Sequence, residues 1–184
     1  LWKKGRITEE ELNSYCQPGS KWIGLSEPIH PDIPFAGGSM GMGLPAAVGF
    51  ALAKKMKGEE GTVYCLMSDG EMAIGTTWES ALIAAHHKLD NLVVIVDNNQ
   101  LQAMGRTNEI LDLEPIKKKW EEFRWIVDRV DGHHFGELKS AIEIPSFSDD
   151  FLKRSGWVKK KLPLVIICET IKGKGVSFME NNND

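Results

Sequence analysis

The 184-residue chain predicts an α/β fold, a doubly wound, mostly parallel sheet with helices on both faces. Two short apolar runs, Thr62 to Ser68 (TVYCLMS) and Leu92 to Val96 (LVVIV), read as buried strands. The residues between them, Thr76 to Lys88 (TTWESALIAAHHK), read as a helix, which makes one β-α-β unit. Each run ends on a polar pair, Asp69-Gly70 after the first and Asn98-Asn99 after the second. Both pairs then fall side by side at the carboxyl edge of the sheet, where open α/β sheets bind ligands.

The remaining elements follow in order. Thr8-x-x-Glu11 is a capping-box pattern that opens a short helix. Residues Gly19 to Gly37 are rich in Pro and Gly and read as an irregular surface loop. Gly38-Ser39-Met40-Gly41-Met42-Gly43 then feeds a helix from Leu44 to Met56, stopped near Gly58. Strand 62–68, helix 76–88 and strand 92–97 come next, with Thr76-x-x-Glu79 as a second capping box. Pro115, a favoured first-turn residue, starts a further helix that ends by Arg124. A strand at 125–130, a turn at Asp131-Gly132, a helix near 136–143 and a last strand, Leu164 to Cys168, complete the alternation. The stretch 144–161 reads as a loop over the surface. No repeat, coiled coil or low-complexity block interrupts the pattern. One domain over 1–184 is expected, incomplete at both ends, since the chain opens on Leu1 and its polar end, Asn181 to Asp184, stops too soon to close a site.

Composition removes several classes of partner. A formal charge of −4 and a pI near 5.8 argue against nucleic acid. The longest apolar stretch, Leu44 to Ala53, contains Gly49 and is too short to span a bilayer. No secretory signal is evident. Cys16, Cys65 and Cys168 are odd in number and widely spaced, with no C-x-x-C pair for zinc and no disulfide frame. The two inside apolar strands read as small hydrophobes. A reducing cytoplasm is the expected compartment.

The polar pairs carry the chemistry. Magnesium is hard, prefers oxygen and keeps few protein ligands beside substrate phosphates. Asp69 offers a carboxylate, Asn99 a side-chain carbonyl and Leu101 a backbone carbonyl two residues on. Either pair alone is an ordinary turn after a strand; their joint placement suits a magnesium-bound diphosphate, and the cofactor it points to is thiamine diphosphate. The glycine run 38–43 allows close backbone approach and feeds a helix N-terminus, one β-α step upstream. His86 and His87 close a helix, where an imidazolium suits the dipole. His133 and His134 read as loop-ordering residues. Lys172 and Lys174 flank glycines after the last strand, and the 117–119 lysine run reads as a wet helix face.

At this point the chain resembles a known family, the transketolases, and within it the thiamine-diphosphate domain of the split type whose halves are separate polypeptides. The residues carrying the likeness are Gly38 to Leu44, Ser68-Asp69-Gly70-Glu71, Trp78-Glu79, Ala84 to Leu92 (AAHHKLDNL) and Asp97 to Gln102 (DNNQLQ). They continue through Leu113-Glu114-Pro115, Val130-Asp131-Gly132-His133 and Thr170 to Asn181 (TIKGKGVSFMEN). The resemblance implies that Asp69, Asn99 and the carbonyl of Leu101 hold Mg²⁺. It further implies that the backbone at Ser68 and Gly70 and the amide of Asn99 contact the diphosphate. Gly38, Ser39 and Met40 would line the aminopyrimidine.

Three positions depart from the family's pattern. Leu25 stands where a histidine near the reacting centre is expected, and His30 would need a shifted loop to replace it. Met42 takes the place of a Gln or His, and Ile74 that of an acid that couples paired sites. No residue here suits the carboxylic acid required at the cofactor's pyrimidine ring, so the resemblance implies a second polypeptide carrying a pyrimidine-binding domain. The expected assembly is α2β2 or larger. The expected activity is transfer of a two-carbon ketol unit from a ketose, or its phosphate, to an aldose. A decarboxylating carboligase acting on 2-oxo acids, and a non-catalytic subunit, are the alternatives.

Overall fold

A computed structural model describes residues 1–143 and 161–182. After a 3₁₀ turn at Trp2–Lys4, the elements are α1 (Glu9–Asn13), α2 (Gly43–Lys57), β1 (Val63–Ser68), α3 (Gly75–His86) and β2 (Leu92–Asn98). They continue with β3 (Leu101–Gln102), β4 (Gly105–Arg106), α4 (Thr107–Ile110), α5 (Ile116–Glu122), β5 (Ile126–Asp131), α6 (Phe135–Glu143) and β6 (Leu164–Glu169). Among the described residues β1, β2, β6 and β5 form, in that order, one parallel sheet, and β3 and β4 a small antiparallel hairpin.

Parallel sheets need cover on both faces, and the two faces are covered unequally. On one face, Cys65, Met67, Val94, Val96, Val165 and Ile167 meet α2, α3 and α5 through Leu44, Val48, Ala51, Ala81, Ala84 and Trp120. On the other, among the described residues, Val93, Leu164, Ile166 and Cys168 pack against α6, through Ala141 and Leu138. Strand β1 is the sheet edge, so its second face is open: Tyr64 is 48% and Leu66 74% exposed. The expectation of a buried strand at 62–68 is therefore corrected to a half-buried one.

Local chemistry explains the element ends. The Thr8 box forms as read, with Glu11 N–H donating to Thr8 Oγ1 and Thr8 N–H to Glu11 Oε2. Gly58 ends α2 in the left-handed conformation, at φ 69°. The second box, at Thr76, does not form. Helix α3 starts at Gly75 with no side-chain cap, because the Thr76 hydroxyl donates instead to Gly41 O at 2.7 Å. Pro115 stands at the N-cap, one residue before α5, rather than in its first turn. Gly19 to Gly37 has no helix or strand, as read. The loop expected at 144–161 lies, apart from Lys161, outside the described residues.

A tryptophan cluster supports the carboxyl edge. Trp120 is fully buried between Trp78 and Trp125, with ring centroids at 5.2 and 4.8 Å. Their indole N–H groups are satisfied: Trp78 and Trp120 donate to Met72 O and Met72 Sδ, and Trp125 to Ala81 O. Met72 belongs to a 3₁₀ turn, Asp69–Ala73, so this cluster seats the turn that carries Asp69. No helix among the described residues is long and apolar enough to cross a membrane.

Burial pushes the thiols of Cys65 and Cys168 up to about 11, while Cys16 is exposed. Since the thiolate is the nucleophile, a thiol reagent near neutral pH should label Cys16 promptly and the other two only on unfolding. Rapid labelling of all three in the native chain would contradict this core.

Candidate functional site

Strands β1 and β2 run in register, with Ser68 opposite Asp97, so the turn after β1 and the loop after β2 emerge together. Asp69 is 1% exposed. Its Oδ1 accepts from Gly70 N–H at 2.7 Å, and its Oδ2 from Gln100 N–H at 2.9 Å and from the Thr107 hydroxyl at 3.1 Å. Burial raises its pKa; the bonds from Thr107, Gly70 and Gln100 pull the other way, and nearby Asp97 adds to the rise. Among the described residues no lysine, arginine or histidine pairs with Asp69.

The loop after β2 wraps this carboxylate. Asn99 Oδ1 accepts from Leu101 N–H at 2.9 Å, which folds the loop back on itself. Gln100 sits at φ 60°, a left-handed conformation costing a non-glycine residue about 1–3 kcal/mol. It is held there by its N–H on Asp69 and by its carbonyl, which accepts from Thr107 N–H at 2.9 Å. The β3–β4 hairpin, with Leu101 opposite Arg106, leads directly into Thr107. Asn98, by contrast, turns away from Asp69, and its amide donates to Glu169.

The glycine run joins the same corner through Glu71. One carboxylate oxygen of Glu71 accepts from Ser68 N–H at 3.1 Å and the other from Gly41 N–H at 2.9 Å. Gly41 has φ +77°, and a Cβ there would collide with Ile74 and stand 2.7 Å from Thr76 Oγ1. Only glycine fits. Met40 Cε and Gln102 Cγ flank Gly70, each 3.5 Å from where a Cβ would be, so three distant segments meet at that residue. Gly38, Ser39 and Met40 are exposed to solvent beside this corner.

The other singled-out residues fall elsewhere. His30 is committed to its own loop: Nδ1 accepts from Asp32 N–H at 3.1 Å and Nε2 lies 3.3 Å from Arg6 O. Leu25 packs over Gly38. His133 orders a loop, as read, with Nε2 accepting from Ile171 N–H at 2.8 Å. A cleft of about 390 Å³ opens beside Asn99, with Asp97, His133, Thr170 and Lys172 in its walls. A larger apolar hollow, about 540 Å³ among Trp2, Ile7, Leu12, Trp22 and Leu25, touches none of Asp69, Asn99 and Leu101.

The donor chemistry fits a hard divalent cation. An ionised carboxylate has about four acceptor positions and a carbonyl oxygen two; Asp69 has three in use and Asn99 Oδ1 one. The described residues contain no cluster of three or more His, Cys, Asp or Glu able to cage a metal. One carboxylate with carbonyl oxygens suits an ion that completes its shell from a bound phosphate.

Comparison with known proteins places the chain in a family. Residues 6–184 match the family "Transketolase, thiamine diphosphate binding domain", so the chain belongs to that family. It is 38% identical over 183 residues to an apulose-4-phosphate transketolase subunit of Actinobacillus succinogenes, covering 98% of this chain and 61% of that protein. It is also 38% identical over 183 residues to the 6-deoxy-6-sulfo-D-fructose transketolase subunit SqwG of Clostridium sp. strain MSTE9, covering 96% of this chain and 61% of that one. The chain thus spans about three fifths of the length of these two relatives. Among solved structures, transketolase from Campylobacter jejuni superposes with a TM-score of 0.78 at 28% identity, over 95% of this chain and 27% of that one.

Thr107 was not foreseen from the sequence and carried no local signal. The bridging role of Glu71 was missed too, although Ser68-x-x-Glu71 repeats the spacing of Thr8-x-x-Glu11. Gly41→Ala should destabilise the chain by roughly 1–3 kcal/mol, from backbone strain and overpacking against Ile74. Chemical denaturation checks this, and an unchanged midpoint would contradict the close approach.

Proposed function

We propose that this chain is the cofactor-binding subunit of a split transketolase-type enzyme that uses thiamine diphosphate and Mg²⁺. The buried carboxylate of Asp69, unpaired with any cation among the described residues, beside the Asn99–Leu101 loop is the observation that carries the reading. Asp69, the Asn99 side-chain oxygen and the Leu101 carbonyl would hold Mg²⁺. The backbone at Ser68 and Gly70 and the Asn99 amide would receive the diphosphate, and Gly38, Ser39 and Met40 the aminopyrimidine. When bound, the cofactor supplies a carbon nucleophile and stabilises the carbanion that follows.

The chain's own residues do the positioning. Glu71 pins the glycine run to the end of β1, so the two walls of the site keep their spacing. Met40, over Gly70, offers an apolar surface that excludes water from one side. No described residue stands ready as the acid for the pyrimidine ring, and relatives named as transketolase subunits cover the same span. A partner with a pyrimidine-binding domain, in an α2β2 or larger assembly, would supply that acid. The substrates would be a ketose or ketose phosphate donor and an aldose acceptor. Three unpaired thiols suit a cytoplasmic setting.

A second reading has one specific support. Leu25 packs on Gly38 and Ile74 on Gly41, which gives the mouth of the glycine run an apolar character that also suits a 2-oxo acid losing CO₂. With the partner present, a panel of ketoses and 2-oxo acids separates the two. Loss of two carbons from a ketose supports the first, and CO₂ release from pyruvate supports the second.

Thiamine diphosphate with Mg²⁺, about a hundredfold above Kd, should raise Tm by roughly 5–10 °C. Asp69→Ala should lose that shift while keeping its far-ultraviolet spectrum. No shift in the wild-type chain with its partner would sink the reading.

The pH dependence has a definite sign. The raised pKa of Asp69 means that, in the free protein, it keeps its proton to higher pH than an ordinary aspartate, whereas a metal needs the carboxylate. Mg²⁺-dependent affinity should therefore weaken as pH falls through that raised value, with proton release on binding. Calorimetry in buffers of different ionisation heat measures both, and pH-independent binding without proton release would contradict the assignment.

A further inference from the structure

We propose that Glu169 is a positioning residue for the Asn99–Leu101 loop, acting through the Asn98 side chain and itself held by Arg129. Asn98 is the last residue of β2, 2% exposed and directly opposite Glu169 on β6. Its amide nitrogen lies 3.0 and 3.1 Å from the two carboxylate oxygens of Glu169. Arg129 on β5 bridges two acids: Nε meets Glu169 Oε1 at 2.5 Å and Nη2 meets Glu114 Oε1 at 3.1 Å. The other oxygen of Glu114 accepts from Ile116 N–H, at the start of α5. One polar strap thus runs from α5 across β5 and β6 to the end of β2.

The loop that leaves Asn98 needs such an anchor. Left-handed Gln100 persists only where its surroundings over-determine it. Asp69 and Thr107 hold the residue itself, and Asn99 closes on Leu101, but these contacts all lie downstream of the strand. Upstream, the Asn98 carbonyl accepts from Thr170 N–H at 3.3 Å, while the buried side-chain amide depends on Glu169. Without that acceptor Asn98 would keep an unpaired buried donor or turn toward solvent, and either shift is passed to Asn99. Glu169 and Arg129 are 35% and 36% exposed at the side chain, so their ion pair alone adds little to global stability. Its removal should therefore act locally. Groups that orient a metal's ligands typically change affinity 10–100-fold when removed.

The role toward the cofactor rests on the function proposed above; the role toward the loop does not. Hydrogen exchange of the cofactor-free full chain reads the second, on peptides spanning 98–102 and, as a control, 63–68. Glu169→Ala should speed exchange over 98–102 about tenfold, the scale of one lost hydrogen bond, and leave 63–68 unchanged. Glu169→Gln keeps an acceptor for Asn98 and should retain most protection. Arg129→Ala should fall between, and the double variant should be no faster than Glu169→Ala. In titrations with Mg²⁺ and thiamine diphosphate, with the partner present, Glu169→Ala should bind roughly 10–100-fold more weakly. Wild-type protection over 98–102 in Glu169→Ala, or a rise shared equally by 63–68, overturns the assignment. If that variant fails to fold, wild-type protection in Arg129→Ala overturns it instead. If the wild-type chain binds no cofactor, the proposed function falls, and the exchange pattern still decides the role of Glu169.

Discussion

A carboxylate that is almost wholly buried, with no cation paired to it among the described residues, sets the terms for this molecule. Removing Asp69 from water is unfavourable for its charged form, and among the described residues the fold offsets that with dipoles: two backbone N–H groups and one hydroxyl. Each donor comes from a different structural device. Gly70 belongs to the 3₁₀ turn, Gln100 to a strained loop, and Thr107 to the residue that follows a hairpin. None can shift without exposing or stranding the carboxylate. The constraint reaches further, because the tryptophan cluster that seats Met72 also seats the turn. Core packing and site geometry are one problem here, since Met72, which meets the fully buried Trp120, and Asp69 share a five-residue segment.

This coupling explains what could be read in the sequence. The β-α-β unit was legible because strand and helix periods are local, both apolar runs are short and the second is mostly β-branched. The meeting of Asp69 with the Asn99 loop followed from that topology, since parallel register places the carboxyl ends of β1 and β2 together. The partners of Asp69 were not legible. Thr107 arrives by way of a two-residue hairpin whose strands are too short to show a period. Thr76 fits a capping box by spacing, yet Gly41 O offered its hydroxyl a better-placed acceptor from thirty-five residues away. Local pattern names the residue types and tertiary approach chooses their partners.

Two parts of the corner differ in how far they are already built. The Asp69 side is fixed: the Asp69 carboxylate accepts from Gln100 N–H, and Gly41, the inner part of the glycine run, is held through both its N–H and its carbonyl. The glycine-run side is open: Leu25 is 56% and Met40 54% exposed. Preorganised donors act without rearranging as charge arrives, whereas exposed apolar side chains gain by being covered. The proposed diphosphate and metal end therefore meets a finished surface, and the ring end meets one that a further protein surface would complete.

The like charge of Asp97 adds to the demand for a cation. Asp97, the penultimate residue of β2, lies opposite Ser68, and it raises the pKa of Asp69 although the Thr170 hydroxyl donates to it. A structural site built only for stability would gain from replacing one of these acids, because a buried carboxylate near a second one weakens the folded state at neutral pH. Keeping both makes physical sense where a positive charge joins them, and the carbonyl oxygens of Asn99 and Leu101 are the further donors a hard ion would take. The cost falls on the free protein and is relieved on loading, so cofactor binding and stability should rise together.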